Sequence, residues 1–154
     1  MIYQNGLTDP QARKTGCFVR SLLRVPELYT HDFTLTELDK LFERVLSMGW
    51  AHSDYIVADP AAIVREGFRW RDQDRECYQT GIHDLKSVRW WGWVERNPAY
   101  KQIAFMILKG QTVRKNPHFR LGDGIGIEVF DPYHPKPLIQ YEIYRTYYFL
   151  GDVM

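Results

Sequence analysis

Four residues in this chain carry the side chains that acyl transfer to sulfur requires: Cys17, His118, Asp131 and Gln11. A thiolate attacks the carbonyl, an imidazole moves the protons, a carboxylate fixes the tautomer of that imidazole, and a carboxamide donates to the oxyanion. Gln11 precedes Cys17 by six residues, and Cys17 opens an apolar-periodic run. Phe18, Leu22 and Val25 fall at i, i+4 and i+7. They form one stripe of a short helix, which Pro26 is expected to end after about two turns. Cys17 then lies in the first turn, where unsatisfied N–H groups and the partial positive charge of the helix favour thiolate over thiol.

The proton-transfer partners come from the far end of the chain. The stretch from His118 through Asp123-Gly124 to Asp131-Pro132 reads as a hairpin: Asp123-Gly124 is a two-residue turn signal, and Ile125, Ile127 and Val129 alternate with period two. A two-residue loop sets Gly122 opposite Ile125 and His118 opposite Val129, and it makes Asp131 a diagonal neighbour of His118 on the same face. A three-residue loop slips the register and sends Asp131 to the other face. The place of the carboxylate therefore hangs on the turn.

This combination resembles the papain-like cysteine peptidase superfamily, in particular small bacterial members such as the bacteriocin-processing peptidase domains. In those a Gln precedes the helix-capping Cys by a similar spacing, a His begins a central strand, and the next strand ends in Asp-Pro. The resemblance covers the N-terminal helix region and residues 105 to 133. It implies that Cys17 is the nucleophile, Gln11 the side-chain oxyanion donor, His118 the general base and acid, and Asp131 its orienting partner. It also implies an α+β, papain-like fold in which N-terminal helices pack on an antiparallel sheet carrying the His and the Asp. Peptide or amide hydrolysis through an acyl-enzyme follows, on a peptide or protein substrate, with no cofactor and no metal. Phe18 departs from the pattern, since the family carries a small residue or Trp after the nucleophile.

Composition bounds the remaining choices. At 154 residues the chain has the size of a single domain and can bury a core without disulfide staples. A formal charge of +1 supplies no argument for nucleic acid or an anionic membrane surface as a general partner. Cys17 and Cys77, with no C-x-x-C, argue against a disulfide scaffold and a structural zinc site. No basic-then-apolar segment opens the chain, and the longest apolar run, Ile103 to Leu108, is too short to cross a bilayer. The expected home is a reducing cytoplasm.

The positioning elements are read as follows. Thr34 and Glu37 fit a capping box, and Phe33 and Leu38 a hydrophobic staple. Leu38, Leu41, Phe42, Val45 and Leu46 form a buried helix face that Gly49 closes at C′. Tyr55-Ile56-Val57 is a short strand, and Asp59-Pro60 starts a helix that Gly67 ends. Ser87 to Val94 is aromatic with rough alternation and reads as a strand. From Asn97-Pro98 to Gly110 a helix is favoured over a buried strand, and Leu138 to Leu150 supplies one or two strands.

Each site residue also has a structural reading: Cys17 as a small buried hydrophobe, His118 as a sheet residue bonded to backbone, Asp131 as a strand terminator, Gln11 as an exposed polar residue. Other constellations are weaker. Cys77 with His83 lacks a helix start, and His52-Ser53-Asp54 and Asp131 with His134 lack a metal-site spacing. Gly122 to Gly126 lacks the Lys-Ser/Thr of a phosphate loop. Trp90, Trp91 and Trp93, among Arg89, Arg96 and Lys101, suit core and cleft wall better than base stacking. The competing function is a papain-like or α+β binding module that recognises a partner through this Trp-rich stretch.

Overall fold

Asp9 and Asp59 each stand before a proline, and each starts a helix. The computed structural model of the chain describes residues 1–85, 103–111, 117–124, 127–133 and 141–149. After a single 3-10 turn at Gln4–Gly6 come α1 (Pro10–Thr15), α2 (Cys17–Tyr29), α3 (Leu35–Ser47) and α4 (Pro60–Arg69). The strands follow: β1 (Cys77–Leu85), β2 (Phe105–Gln111), β3 (Pro117–Asp123), β4 (Glu128–Phe130) and β5 (Tyr141–Phe149). Asp9 accepts from the Gln11 N–H and Asp59 from the Ala62 N–H, so each proline takes the first helical turn, where its missing donor costs nothing.

The strands form one sheet in the order β1-β5-β2-β3-β4, and every neighbouring pair is antiparallel. The fold is α+β, with helices first and sheet second. No helix among the described residues is long and apolar enough to cross a membrane. One core joins Phe18, Leu22 and Leu23 of α2, Leu38, Leu41 and Phe42 of α3, and Ile63 and Phe68 of α4 to Phe105, Ile107, Leu121, Phe130, Tyr147 and Phe149 of the sheet.

The capping box of α3 is present in full: Thr34 and Glu37 exchange bonds between side chain and backbone N–H. Gly49, at φ +74°, closes a Schellman motif, with its own N–H on the Leu46 carbonyl and that of Trp50 on the Val45 carbonyl.

Elsewhere tertiary contacts overrule local signals. Helix α2 does not stop at Pro26; it runs on to Tyr29. Proline lies in the last turn, where its carbonyl accepts from both the backbone N–H and the hydroxyl of Thr30. Its ring fills the space over Gly67, at which a Cβ would come within 2.6 Å of Pro26 Cγ. For the same reason Gly67 is interior to α4 rather than its end. Tyr55-Ile56-Val57 is no strand; only an Ala51–Val57 bridge forms there. Tyr55 takes φ +61° and turns its ring into the core, with its hydroxyl on Asp9 Oδ2 at 2.7 Å. The stretch before Gly110 is strand β2 where described, not helix. Its run from Phe105 to Leu108 is buried on both faces, a central-strand pattern that periodicity cannot separate from a helix. Gly110 pairs with His118 instead of capping. The C-terminal strand reading holds as β5, whereas the Ser87 to Val94 strand and the Asn97-Pro98 helix start lie outside the described residues.

Two features of this frame can be tested by mutation. Arg71, together with the Thr34 N–H, holds the Glu37 carboxyl down at about 2. The unfolded chain therefore binds the extra proton first, so the contribution of Glu37 is complete above its unfolded value and is lost as pH falls through about 2. Glu37→Gln should cost about 1 kcal/mol near neutrality, and urea titrations should show the gap to wild type closing as pH drops from about 5 toward 2. Gly67→Ala should cost about 1–3 kcal/mol by overpacking against Pro26. Pro26→Ala in the same chain should recover part of that loss, measured by thermal unfolding.

Candidate active site

Helix α2 begins at Cys17 because nothing larger than glycine fits at residue 16. A Cβ there would lie 2.5 Å from the Ala12 carbonyl oxygen and 2.8 Å from Phe42 Cε1. Gly16 ends α1 and starts α2, and it offers no capping side chain to the first turn of α2. The first-turn N–H groups of α2, where Cys17 lies, thus receive no cap side chain. Cys17 forms no disulfide and is 8% exposed.

The first turn of α2 is docked at the start of β3. The Phe18 and Phe119 rings are 4.6 Å apart, and Ser21 Oγ, one turn after Cys17, is 3.4 Å from the Phe119 carbonyl oxygen. Phe119 turns toward Phe18, and its neighbours His118 and Arg120 leave β3 on the alternate side, toward Asp131. The 3-10 turn anchors the same end of the sheet: Gln4 N–H donates to the Pro132 carbonyl at 2.7 Å, and Gln4 Nε2 to the Arg13 carbonyl at 3.0 Å. The end of β4 is tied to the end of α1, a few residues before Cys17.

His118 and Asp131 meet: imidazole Nε2 lies 2.7 Å from Asp131 Oδ1, and both side chains are largely buried. The route by which they meet differs from the two-residue turn expected. Asp123 N–H donates to the Ile127 carbonyl, which closes a longer loop, and Gly122 pairs with Glu128. That register alone would put Asp131 on the wrong face. A bulge restores it: Leu121 pairs with Phe130, so Val129 is the extra residue and Asp131 falls beside Arg120, on the side of His118. His118 therefore does not face Val129. Ile127 and Val129, which alternate along the strand, are exposed, while Phe130 is buried.

Gln11 lies in α1, half-buried, and its Nε2 donates to Thr15 Oγ1 at 2.8 Å. That hydroxyl donates on to the Asp54 carbonyl at 2.6 Å. A carboxamide has two amide hydrogens, so one is engaged by Thr15 and one is left for another acceptor.

Sequence reasoning passed over the charged residues around the site. Arg120 Nη2 is 3.2 Å from Asp131 Oδ2, and Nη1 pairs with Glu128 Oε1. Arg20, in α2, lays its guanidinium 5.2 Å from the centroid of the Phe130 ring and pairs with Glu27 at 2.7 Å. The signal available was the run of charged residues at helical spacing, Arg20, Arg24 and Glu27, on a helix otherwise apolar.

The weaker constellations gain nothing. Cys77 is wholly buried on β1, and burial pushes its thiol up to about 12, the wrong direction for a nucleophile. Asp54 Oδ1 caps the Ile56 N–H, and no group of three or more His, Cys, Asp or Glu among the described residues is placed to hold a metal ion. His134 and Trp90, Trp91 and Trp93 lie outside the described residues.

The bulge makes a sharp prediction. In wild type the ring N–H of His118 held by Asp131 should give a downfield proton resonance. Asp131→Ala should abolish it, whereas deleting Val129 should leave it in place, because removing the extra residue keeps Phe130 opposite Leu121 and Asp131 beside Arg120 in a regular ladder.

No family model, curated protein or solved structure matches this chain, so its candidate chemistry rests on its own geometry.

Proposed function

We propose that this chain is a papain-like cysteine hydrolase acting on peptide or amide bonds, with Cys17, His118 and Asp131 as its triad. The observation that carries the reading is the 2.7 Å bond between His118 Nε2 and Asp131 Oδ1, the base and orienting carboxylate such a hydrolase needs. With Nε2 held by the carboxylate, Nδ1 is the nitrogen left to exchange a proton with a thiol. Cys17 thiolate attacks the carbonyl carbon, and the oxyanion is met by the Cys17 backbone N–H and the second amide hydrogen of Gln11. His118 protonates the leaving amine and then takes a proton from the water that releases the acid. Two cysteines held as thiols suit a reducing cytoplasm.

One observation favours a second reading, a binding module without chemistry. Cys17 is 8% exposed and His118 2%, which leaves a substrate carbonyl little surface to approach. In that case the His118–Asp131–Arg120 cluster is a clasp between β3 and β4.

Site-resolved alkylation separates the two. The native protein is treated with iodoacetamide across about pH 5 to 9, and Cys17 and Cys77 are mapped by mass spectrometry in wild type and His118→Ala. Hydrolase chemistry requires Cys17 to react well below pH 8 in wild type and to lose that reactivity without His118. Cys77 serves as the internal control, since it should stay inert until the chain unfolds. A Cys17 that is equally inert, or indifferent to His118, sinks the catalytic reading.

A further inference from the structure

We propose that Arg120, steered by Glu128, is a positioning residue that holds Asp131 against His118 and offsets its charge. The two oxygens of Asp131 are divided: Oδ1 faces His118 Nε2 at 2.7 Å and accepts the Tyr133 N–H at 3.1 Å, while Oδ2 faces Arg120 Nη2 at 3.2 Å. The guanidinium is itself shared, since Nη1 pairs with Glu128 Oε1. The result is a row across the two strands in the order imidazole, carboxylate, guanidinium, carboxylate. Glu128 sits across from Gly122, two residues from Arg120 on the same side of β3, and the bulge at Val129 then brings Asp131 to that side as well.

The row has a chemical consequence. A carboxylate pinned at both oxygens cannot rotate away from the ring. A cation on its far side also withdraws part of the negative charge that would otherwise stabilise an imidazolium. Among the described residues, the charged groups near the ring are Glu128 of β4, Asp131 just after it and Arg120 from β3. Across the sheet, on β2, the partner of His118 is Gly110, which contributes no side chain. Arg120 therefore holds Asp131 in place against the ring, and Glu128 in turn steers Arg120. The value of this for catalysis rests on the hydrolase reading; the charge coupling itself does not.

The test is to follow the His118 ring of the full chain by NMR through a pH titration in wild type, Arg120→Gln, Arg120→Lys and Glu128→Gln, and to record the Cys17 alkylation profile of each. Arg120→Gln should move the ring midpoint to higher pH, with proton binding tightened about tenfold. Glu128→Gln should move it the other way, and Arg120→Lys should stay near wild type. Opposite signs from two neighbouring neutralisations are not what a merely structural role produces. Unmoved midpoints in folded variants, or shifts of the same sign, overturn the proposal. Should Arg120→Gln fail to fold, Glu128→Gln, changed at the protein surface, still tests the sign. If the midpoints move as stated but Cys17 alkylation ignores them, the positioning role stands and the hydrolase reading falls. If Cys17 depends on His118 but the midpoints do not move, the reverse holds.

Discussion

Arg20 and Glu27 form an ion pair inside α2 with both side chains wholly buried, and the surroundings of the site are tied to it. Arg20 Nε donates to the Ile2 carbonyl at 2.7 Å, its guanidinium lies over the Phe130 ring, and Glu27 Oε2 accepts the Phe33 N–H at 2.8 Å. One pair therefore binds the N-terminal segment, the entry to α3 and strand β4 to α2. Taking two charges out of water costs several kcal/mol each, about what a good pair with further hydrogen bonds returns. Its net worth to stability is small. Its worth to geometry is larger, because losing Glu27 would leave the Arg20 guanidinium buried without its counterion.

The consequence reaches the candidate site through one peptide bond. Phe130 is held under Arg20 and stacked on Tyr3, and Asp131 is the next residue. With Phe130 committed to the helix side, Asp131 must leave the strand on the other, where Arg120 and His118 receive it. Helix packing and strand alternation thus fix the carboxylate from opposite directions. The Val129 bulge reconciles both with the loop that Asp123 closes.

The same packing explains why the thiol is so enclosed. Phe18 packs against both Phe119 and Tyr144, with ring centroids 4.6 and 6.1 Å away, which draws the start of α2 tightly against the sheet. A small residue at this position would leave more room beside Cys17. Phe18 therefore has a physical role: its aromatic contacts tighten the dock of helix on strand.

Local chemistry determined much of this protein by itself. The Asp-Pro helix start at 59, the Thr34–Glu37 capping box and the Gly49 stop are written in neighbouring residues, because caps use groups only a few positions apart. The order of helices before strands was legible too, and the His118–Asp131 pair was expected from its residue types, though not by the route it takes. Tertiary structure decided the rest. Pro26 stays in its helix because Gly67 makes room for it, the run at 105–108 is a strand because both its faces are covered, and Tyr55 adopts a positive φ to reach Asp9. Asp131 was placed on the right face for a reason the turn signal did not contain: a bulge set by Phe130 packing under Arg20. Pattern and propensity act over a few residues, whereas a register is chosen by what the whole strand must bury.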